Sequence, residues 1–233
     1  MPVGHGYVLL THYLSILSVE VVAVSSGVDL DRFAPGNAAP DMRKKYGIPP
    51  GPMLLFVGRL DPEKKIEQIL EAVKLAGAFA EFTFVVAGRG MQGPALRNLA
   101  RQLGIDHRVV FTGFVAETDL PHLYRASRCF IIASDAELLS LATLQALACG
   151  LPVIAVNAGA LQELVKDNEN GYLFAPGDVA TMSHCIIKLM TNDWLCRRMS
   201  EKSLQIAPEH DLRGAVDIFE SLYEDECRNW ILR

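Results

Sequence analysis

Two stretches of the chain hold side chains whose types and spacing could do chemistry. The first is FVGRLDPEKKIEQILEAV, residues 56–73. Gly58 allows a tight backbone turn at the end of an apolar run, and Arg59 lies immediately beyond it. Pro62 and Glu63 open a helix, with Lys64 in its first turn. A forked guanidinium and a compact ammonium beside a helix N-terminus can meet the charge of a diphosphate. The same residues also fit a solvated surface on which Lys64 and Lys65 are simply exposed, and spacing alone leaves both readings open. The second stretch is SDAELLSLATLQALACGLPVIA, residues 134–155. Glu137 lies in a loop before a helix, Ser140 is placed as its N-cap, and Gln145 follows inside it. A loop carboxylate can accept hydrogen bonds from sugar hydroxyls. Backbone N–H groups at 138–141 can receive a phosphate at the helix start. Glu137 as a simple partner of the helix dipole stays equally open.

A third stretch, VVAGRGMQGPAL at 85–96, satisfies the dinucleotide pattern G-x-G-x-x-G with Gly88, Gly90 and Gly93. Its surroundings argue against that reading. A clear strand and helix precede it, whereas the fingerprint normally follows the first strand of its sheet. Pro94 directly after Gly93 predicts a helix that starts after the third glycine. The next strand ends in FTGF, with Thr112 and Gly113 and no acid for a ribose. The stretch reads as a Gly-rich strand-to-helix turn, and an NAD-dependent oxidoreductase is the weaker alternative.

These residues need elements to carry them. Continuous apolar runs predict strands at 20–24, 53–57, 82–87, 108–112, 129–132, 152–156 and 172–174. Runs without alternation suit strands covered on both faces, as in a parallel sheet. Helical patterns fall at 64–77, 94–103, 117–126, 141–149, 160–166 and 178–190, with Gly104 and Gly150 as stops. The end, 193–230, reads as helical with Trp194, Phe219, Tyr223 and Trp230 as anchors. The alternation predicts a doubly wound α/β domain, in which ligands sit at the carboxyl ends of the strands.

Bulk properties bound the rest. At 233 residues and 50% hydrophobic, the chain suits one large domain with appended elements. A net charge of −5 gives no sign of nucleic-acid binding. Five cysteines show neither C-x-x-C nor metal-ligand spacing, and free thiols point to a reducing cytoplasm. The apolar start, interrupted by His12, Ser15, Ser18 and Glu20, lacks a basic n-region and a span of 18 clean apolar residues, so the reading is soluble. His5, His12, His107, His122 and His184 fall in no catalytic pattern.

Several ordered segments carry a resemblance. VAVSSGVDLDRFAPG, LLFVGRLDPEKKIEQILEA, VVAGRGMQGPALRNLA, VVFTGFVAETDLPHLYRASRCFIIAS and ACGLPVIAVNAGALQELVKDNENGYLFAPGD together resemble the C-terminal, nucleotide-sugar-binding half of a family 4 glycosyltransferase with the GT-B fold. The resemblance runs from about residue 20 to 230 and implies a Rossmann-like doubly wound parallel sheet with a C-terminal helical extension. It divides the chain into a short segment 1–19, a nucleotide-sugar-binding domain 20–207 and a C-terminal helix 208–233. It implies a retaining transfer from a nucleotide diphosphate sugar, with no cofactor and no metal. Gly58, Arg59, Lys64 and the backbone of Ser140 and Leu141 would hold the diphosphate. Glu137 would contact the transferred sugar, and Gly88, Gly113, Phe114 and Gln145 would surround the nucleoside.

Three departures qualify the resemblance. Gln145 stands where the family has a Glu for the ribose hydroxyls, and Gln offers one carbonyl acceptor and an NH₂ donor instead of two carboxylate oxygens. Leu138 and Ser140 replace glycines, and Leu138 is expected to narrow the sugar loop. The family's acceptor half is absent from these residues. The expected partners are a chain carrying that half, or a second copy of this one, with peripheral association at a membrane kept open. A non-catalytic nucleotide-sugar-binding module is the alternative function.

Overall fold

The computed structural model describes residues 27–39 and 41–231. The strand expected at 20–24 lies outside them. Helix α1 (Met42–Lys45) leads into β1 (Met53–Val57). Then follow α2 (Ile66–Ala76), β2 (Thr83–Ala87), α3 (Gly93–Gln102), β3 (Val109–Gly113) and α4 (Leu120–Arg125). The second half holds β4 (Cys129–Ile132), α5 (Leu141–Ala148), β5 (Val153–Val156), α6 (Leu161–Leu164) and β6 (Gly171–Phe174). Three longer helices close the chain: α7 (Val179–Thr191), α8 (Asp193–Ile206) and α9 (Leu212–Ile231).

All six strands are parallel, in the order β3-β2-β1-β4-β5-β6. The chain winds outward from β1 to β3, returns to β4, and winds outward the other way. Right-handed crossovers therefore place α2 and α3 on one face and α4, α5 and α6 on the other. The packing agrees: α2 meets α3 and α7, while α5 meets α4, α6 and α8. Central strands covered on both faces must be apolar throughout, and β2, β4 and β5 are buried at every residue. On α2 the buried residues Ile66, Ile69, Leu70, Val73 and Ala76 recur at helical spacing and form the face laid on the sheet. Gly104 and Gly150 adopt φ of +70° and +75° just past α3 and α5 and end those helices.

The sequence order reverses between β1 and β4. That is the switch point at which a doubly wound sheet opens a crevice beyond its strand ends.

The C-terminal region is helical as expected, but three of its named aromatic residues do not anchor it. Residue 28 forms a parallel bridge with Asp211, which ties the entry of the described chain to the start of α9. Trp194, Phe219 and Tyr223 were expected to anchor the helical end, yet they are 63%, 49% and 71% exposed. Val216 and Leu222 are exposed with Phe219 and Tyr223 along α9. Their spacing is amphipathic, but the described residues supply no surface for that face to pack on. Trp230 lies outside the described side chains. No described helix is long and apolar enough to cross a membrane.

Cys129, Cys149, Cys185 and Cys196 are buried free thiols, and only Cys227 is exposed. Burial pushes the Cys149 thiol up to about 12 and the Cys185 thiol to about 11, and raises Cys129 and Cys196 as well. Only the thiolate reacts. One thiol per folded chain is therefore expected to react quickly with an aromatic disulfide reagent at pH 8, and all five in denaturant. A second fast thiol in the folded protein would contradict this packing.

Candidate functional site

Three loops converge where the crevice opens. The loop after β1 contains a 3₁₀ turn, Pro62–Lys64, in place of the expected first α-turn. Pro62 fixes φ and suits a first helical position, but Lys65 then turns left-handed (φ 50°, ψ 40°), and the α-helix begins only at Ile66. Lys64 thus sits ahead of α2 and reaches across the switch point. Its Nζ donates to Glu137 Oε1 at 2.6 Å, with the two side chains only 18% and 10% exposed. Beside it, Lys65 Nζ donates to Asp135 Oδ2 at 2.5 Å. The Lys65 ammonium holds the Asp135 carboxyl below its usual range. Neither lysine is a bare surface charge, and Glu137 partners Lys64 as well as standing ahead of α5.

Arg59 faces elsewhere. It pairs with Asp61 at 2.9 Å and Glu63 at 3.1 Å, and its side chain is 74% exposed. Arg59 and Lys64 therefore belong to one loop but are held by different carboxylates. With the guanidinium itself largely in solvent, these pairs contribute little to stability, which leaves Arg59 available for exchange.

The β4–α5 loop is held from its far side by the loop after β5. The Ala160 amide donates to the Glu137 carbonyl at 3.2 Å. Gly159, at φ +53°, has no room for a side chain, since a Cβ would stand 2.7 Å from that carbonyl oxygen. Ser140 caps α5: its hydroxyl accepts from the Thr143 amide at 3.4 Å and bonds the Thr143 hydroxyl at 2.8 Å. The amides of Ser140 and Leu141, at the positive end of the helix, meet no acceptor among the described residues. Leu138, expected to narrow the loop, is 95% exposed. Gln145 lies on α5, and its Oε1 accepts from the buried Tyr124 hydroxyl at 3.1 Å.

The Gly-rich turn follows β2, the second strand of this sheet. Its backbone is stitched to the neighbouring loops: Gly58 N donates to Ala87 O, Leu60 N to Arg89 O and Gly88 N to Gly113 O, at 2.9–3.0 Å. Gly88 has φ +147°, and a Cβ there would lie 1.8 Å from the Gly58 carbonyl oxygen. At Gly90 a Cβ would lie 2.4 Å from the Leu60 carbonyl oxygen. Backbone thus meets backbone at both positions. The third glycine corrects the expectation that the helix starts after it, because α3 begins at Gly93 itself. A Cβ at Gly93 would meet only the Leu60 side chain, at 3.7 Å. It lies in the first turn, as a dinucleotide fingerprint would have it, but close packing does not require it.

Beyond this turn opens a cavity of about 540 Å³, lined by Gly88, Gly113, Arg89, Asn98 and the outer face of α3 with Arg97 and Arg101. Phe114, 63% exposed, stands nearby with the Arg89 guanidinium 5.8 Å from its ring centre. The cavity is on the β2–β3 side of the switch point, and neither Lys64 nor Glu137 lines it. Of the candidate residues, the structure joins Lys64 to Glu137 and groups Gly88 with Gly113; Arg59 and Gln145 have partners of their own. Lys65, Asp135 and the three arginines belong to no pattern recognised in the sequence. The available signal was position, because Asp135 follows β4 directly and Lys65 is adjacent to Lys64.

Fold and charged loops define a Rossmann-like α/β domain with paired cations and carboxylates across its switch point. The family described as Glycosyl transferases group 1 matches residues 39–205, and the chain belongs to that family. It is 40% identical over 176 residues to D-inositol 3-phosphate glycosyltransferase 2 of Catenulispora acidiphila, covering 70% of this chain and 41% of that protein. The C-terminal domain of a glycosyl transferase group 1 family protein (LpcC) from Francisella tularensis superposes with a TM-score of 0.70 at 27% identity, covering 78% of this chain and 97% of that one. Anabaena Alr3699/HepE, solved in complex with UDP-glucose, gives a TM-score of 0.74 at 25% identity, covering 86% and 57%. The described residues correspond to the C-terminal half of the GT-B fold. The chain spans less than half the length of the curated relatives it matches.

Proposed function

We propose that this chain is the donor-binding half of a retaining glycosyltransferase that takes a sugar from a nucleotide diphosphate sugar. The observation that carries the reading is the Lys64–Glu137 pair at the switch point, in a chain of this family. Lys64 and Arg59, turning past Gly58, take the diphosphate together with the amides of Ser140 and Leu141. Charge on the leaving diphosphate is then met by fixed cations and dipoles, which need no reorganisation as the bond breaks. Glu137 exchanges its ammonium partner for hydroxyls of the transferred sugar and orients it. Gly88, Gly113 and Phe114 border the nucleoside, and the amide of Gln145 serves the ribose. The donor is a substrate, and the reading calls for no resident cofactor or metal. UDP-bound solved relatives support the ligand class. Acceptor recognition falls to residues beyond those described, or to a partner chain.

A second reading, a nucleotide-sugar-binding module without turnover, has one observation in its favour. Gln145 already accepts the Tyr124 hydroxyl and cannot offer a diol two carboxylate oxygens. Donor hydrolysis or transfer by a binding-competent chain would set it aside.

A panel of UDP, GDP and ADP tests the donor site. A matching nucleotide at a hundredfold its Kd is expected to raise the melting temperature by about 5 °C or more. Absence of a shift with every nucleoside diphosphate at millimolar concentration would remove the donor-site reading.

A further inference from the structure

The loops after β1 and β4 are joined by two ion pairs side by side. Lys64 meets Glu137, and one residue on Lys65 meets Asp135. Lys65 does so from left-handed backbone, which glycine enters freely and lysine enters only against its Cβ. Among the described residues Asn168 is the only other non-glycine at positive φ, and asparagine tolerates that region well. A lysine held there needs a contact that a glycine could not make. Its ammonium contact is Asp135, two residues before Glu137.

We infer that Lys65 is a positioning residue. Its pair with Asp135 clasps the 134–139 loop to the β1 loop, so that Glu137 keeps its place for the sugar when Lys64 leaves it for the diphosphate. The role toward ligand rests on the donor-site reading; the clasp itself does not. The logic is one of competing demands on Lys64. A diphosphate and the Glu137 carboxylate both call for the same ammonium, and a bound donor satisfies only the first. From the β5 side the loop is buttressed through the Glu137 carbonyl by Ala160. From the β1 side its described side-chain tethers are Lys64 and Lys65. Once Lys64 turns away, Lys65 is the one that remains.

Two measurements test this on the full chain. Hydrogen exchange at the 134–139 amides, without ligand, is expected to quicken about fivefold in Lys65→Gly and in Asp135→Asn, with the melting temperature little changed. The charge swap Lys65→Asp with Asp135→Lys should restore most of the protection, since aspartate also tolerates left-handed backbone. Calorimetry then compares UDP with UDP-glucose, and GDP with GDP-mannose. The single variants should weaken the sugar-bearing ligand about fivefold while the bare nucleotide stays within about twofold. Unchanged exchange would overturn the clasp even where nucleotides bind. Equal loss for nucleotide and nucleotide sugar would overturn the positioning role and make Lys65 a phosphate contact. Failure of every nucleotide to bind the parent chain would strike the donor-site reading, and the exchange experiment would still decide the clasp.

Discussion

Lys64→Met is expected to destabilise the domain by about 2–3 kcal/mol and to weaken nucleoside diphosphate binding by about a hundredfold. The stability loss follows from what remains. Glu137 is 10% exposed and would keep a negative charge with its ammonium removed. Methionine preserves the aliphatic stem, so the change reports charge more than volume. Adding Glu137→Gln should recover part of the loss, because an unpaired charge costs more than an unpaired amide. Denaturant unfolding of the two single variants and the double variant measures that coupling. Arg59→Ala is the contrasting case. Its own side chain is 74% exposed, although Asp61 is only 17% exposed, so stability should change by less than about 1 kcal/mol, and any loss of nucleotide binding then reports ligand contact. A Lys64→Met protein with unchanged stability and unchanged nucleotide affinity would remove Lys64 from the site.

Gly88→Ala is expected to be the most damaging of the glycine substitutions, at about 4 kcal/mol or more, with loss of folded protein as the extreme. The new Cβ would be driven into the Gly58 carbonyl at 1.8 Å, from backbone that disfavours a side chain. Gly93→Ala should be neutral or stabilising by up to about 1 kcal/mol, because it adds helix propensity and its Cβ makes only an ordinary contact with Leu60. Thermal unfolding of both variants gives the comparison. A Gly93→Ala protein as damaged as Gly88→Ala would mean that the third glycine has a packing role after all. Of the three glycines in this turn, the observed geometry gives that role to Gly88 and Gly90.

The sheet was legible in the sequence because its strands are buried on both faces. MLLFV at 53–57 and CFII at 129–132 read as strands covered on both faces, and they carry the two charged loops. Once β1 and β4 are neighbours, Lys64 and Glu137 face each other across the switch point, although 73 residues separate them in the chain. Other features depended on neighbours that the local sequence does not reveal. Pro62 suggested a helix start, but the left-handed Lys65 that splits turn from helix is tied to Asp135, 70 residues away. The glycine turn could be set apart from a nucleotide fingerprint by its surroundings. Its actual role, stitching to Gly58 and Leu60, required the position of the β1 loop. Phe219 and Tyr223 were read as anchors because amphipathic spacing reveals an apolar face without revealing what covers it.

The closed Lys64–Glu137 pair gives the site the character of an ion exchanger. Its most sheltered cation is occupied before any ligand arrives. A chloride or free phosphate ion that took Lys64 would strand Glu137, so simple anions gain little by entering. On the donor-site reading proposed above, a nucleotide sugar would bring both halves of the exchange, phosphate oxygens for the lysine and hydroxyl donors for the glutamate. On that reading, discrimination against the abundant small anions of any buffer or cell would be built into the resting state, before shape or base recognition is called upon.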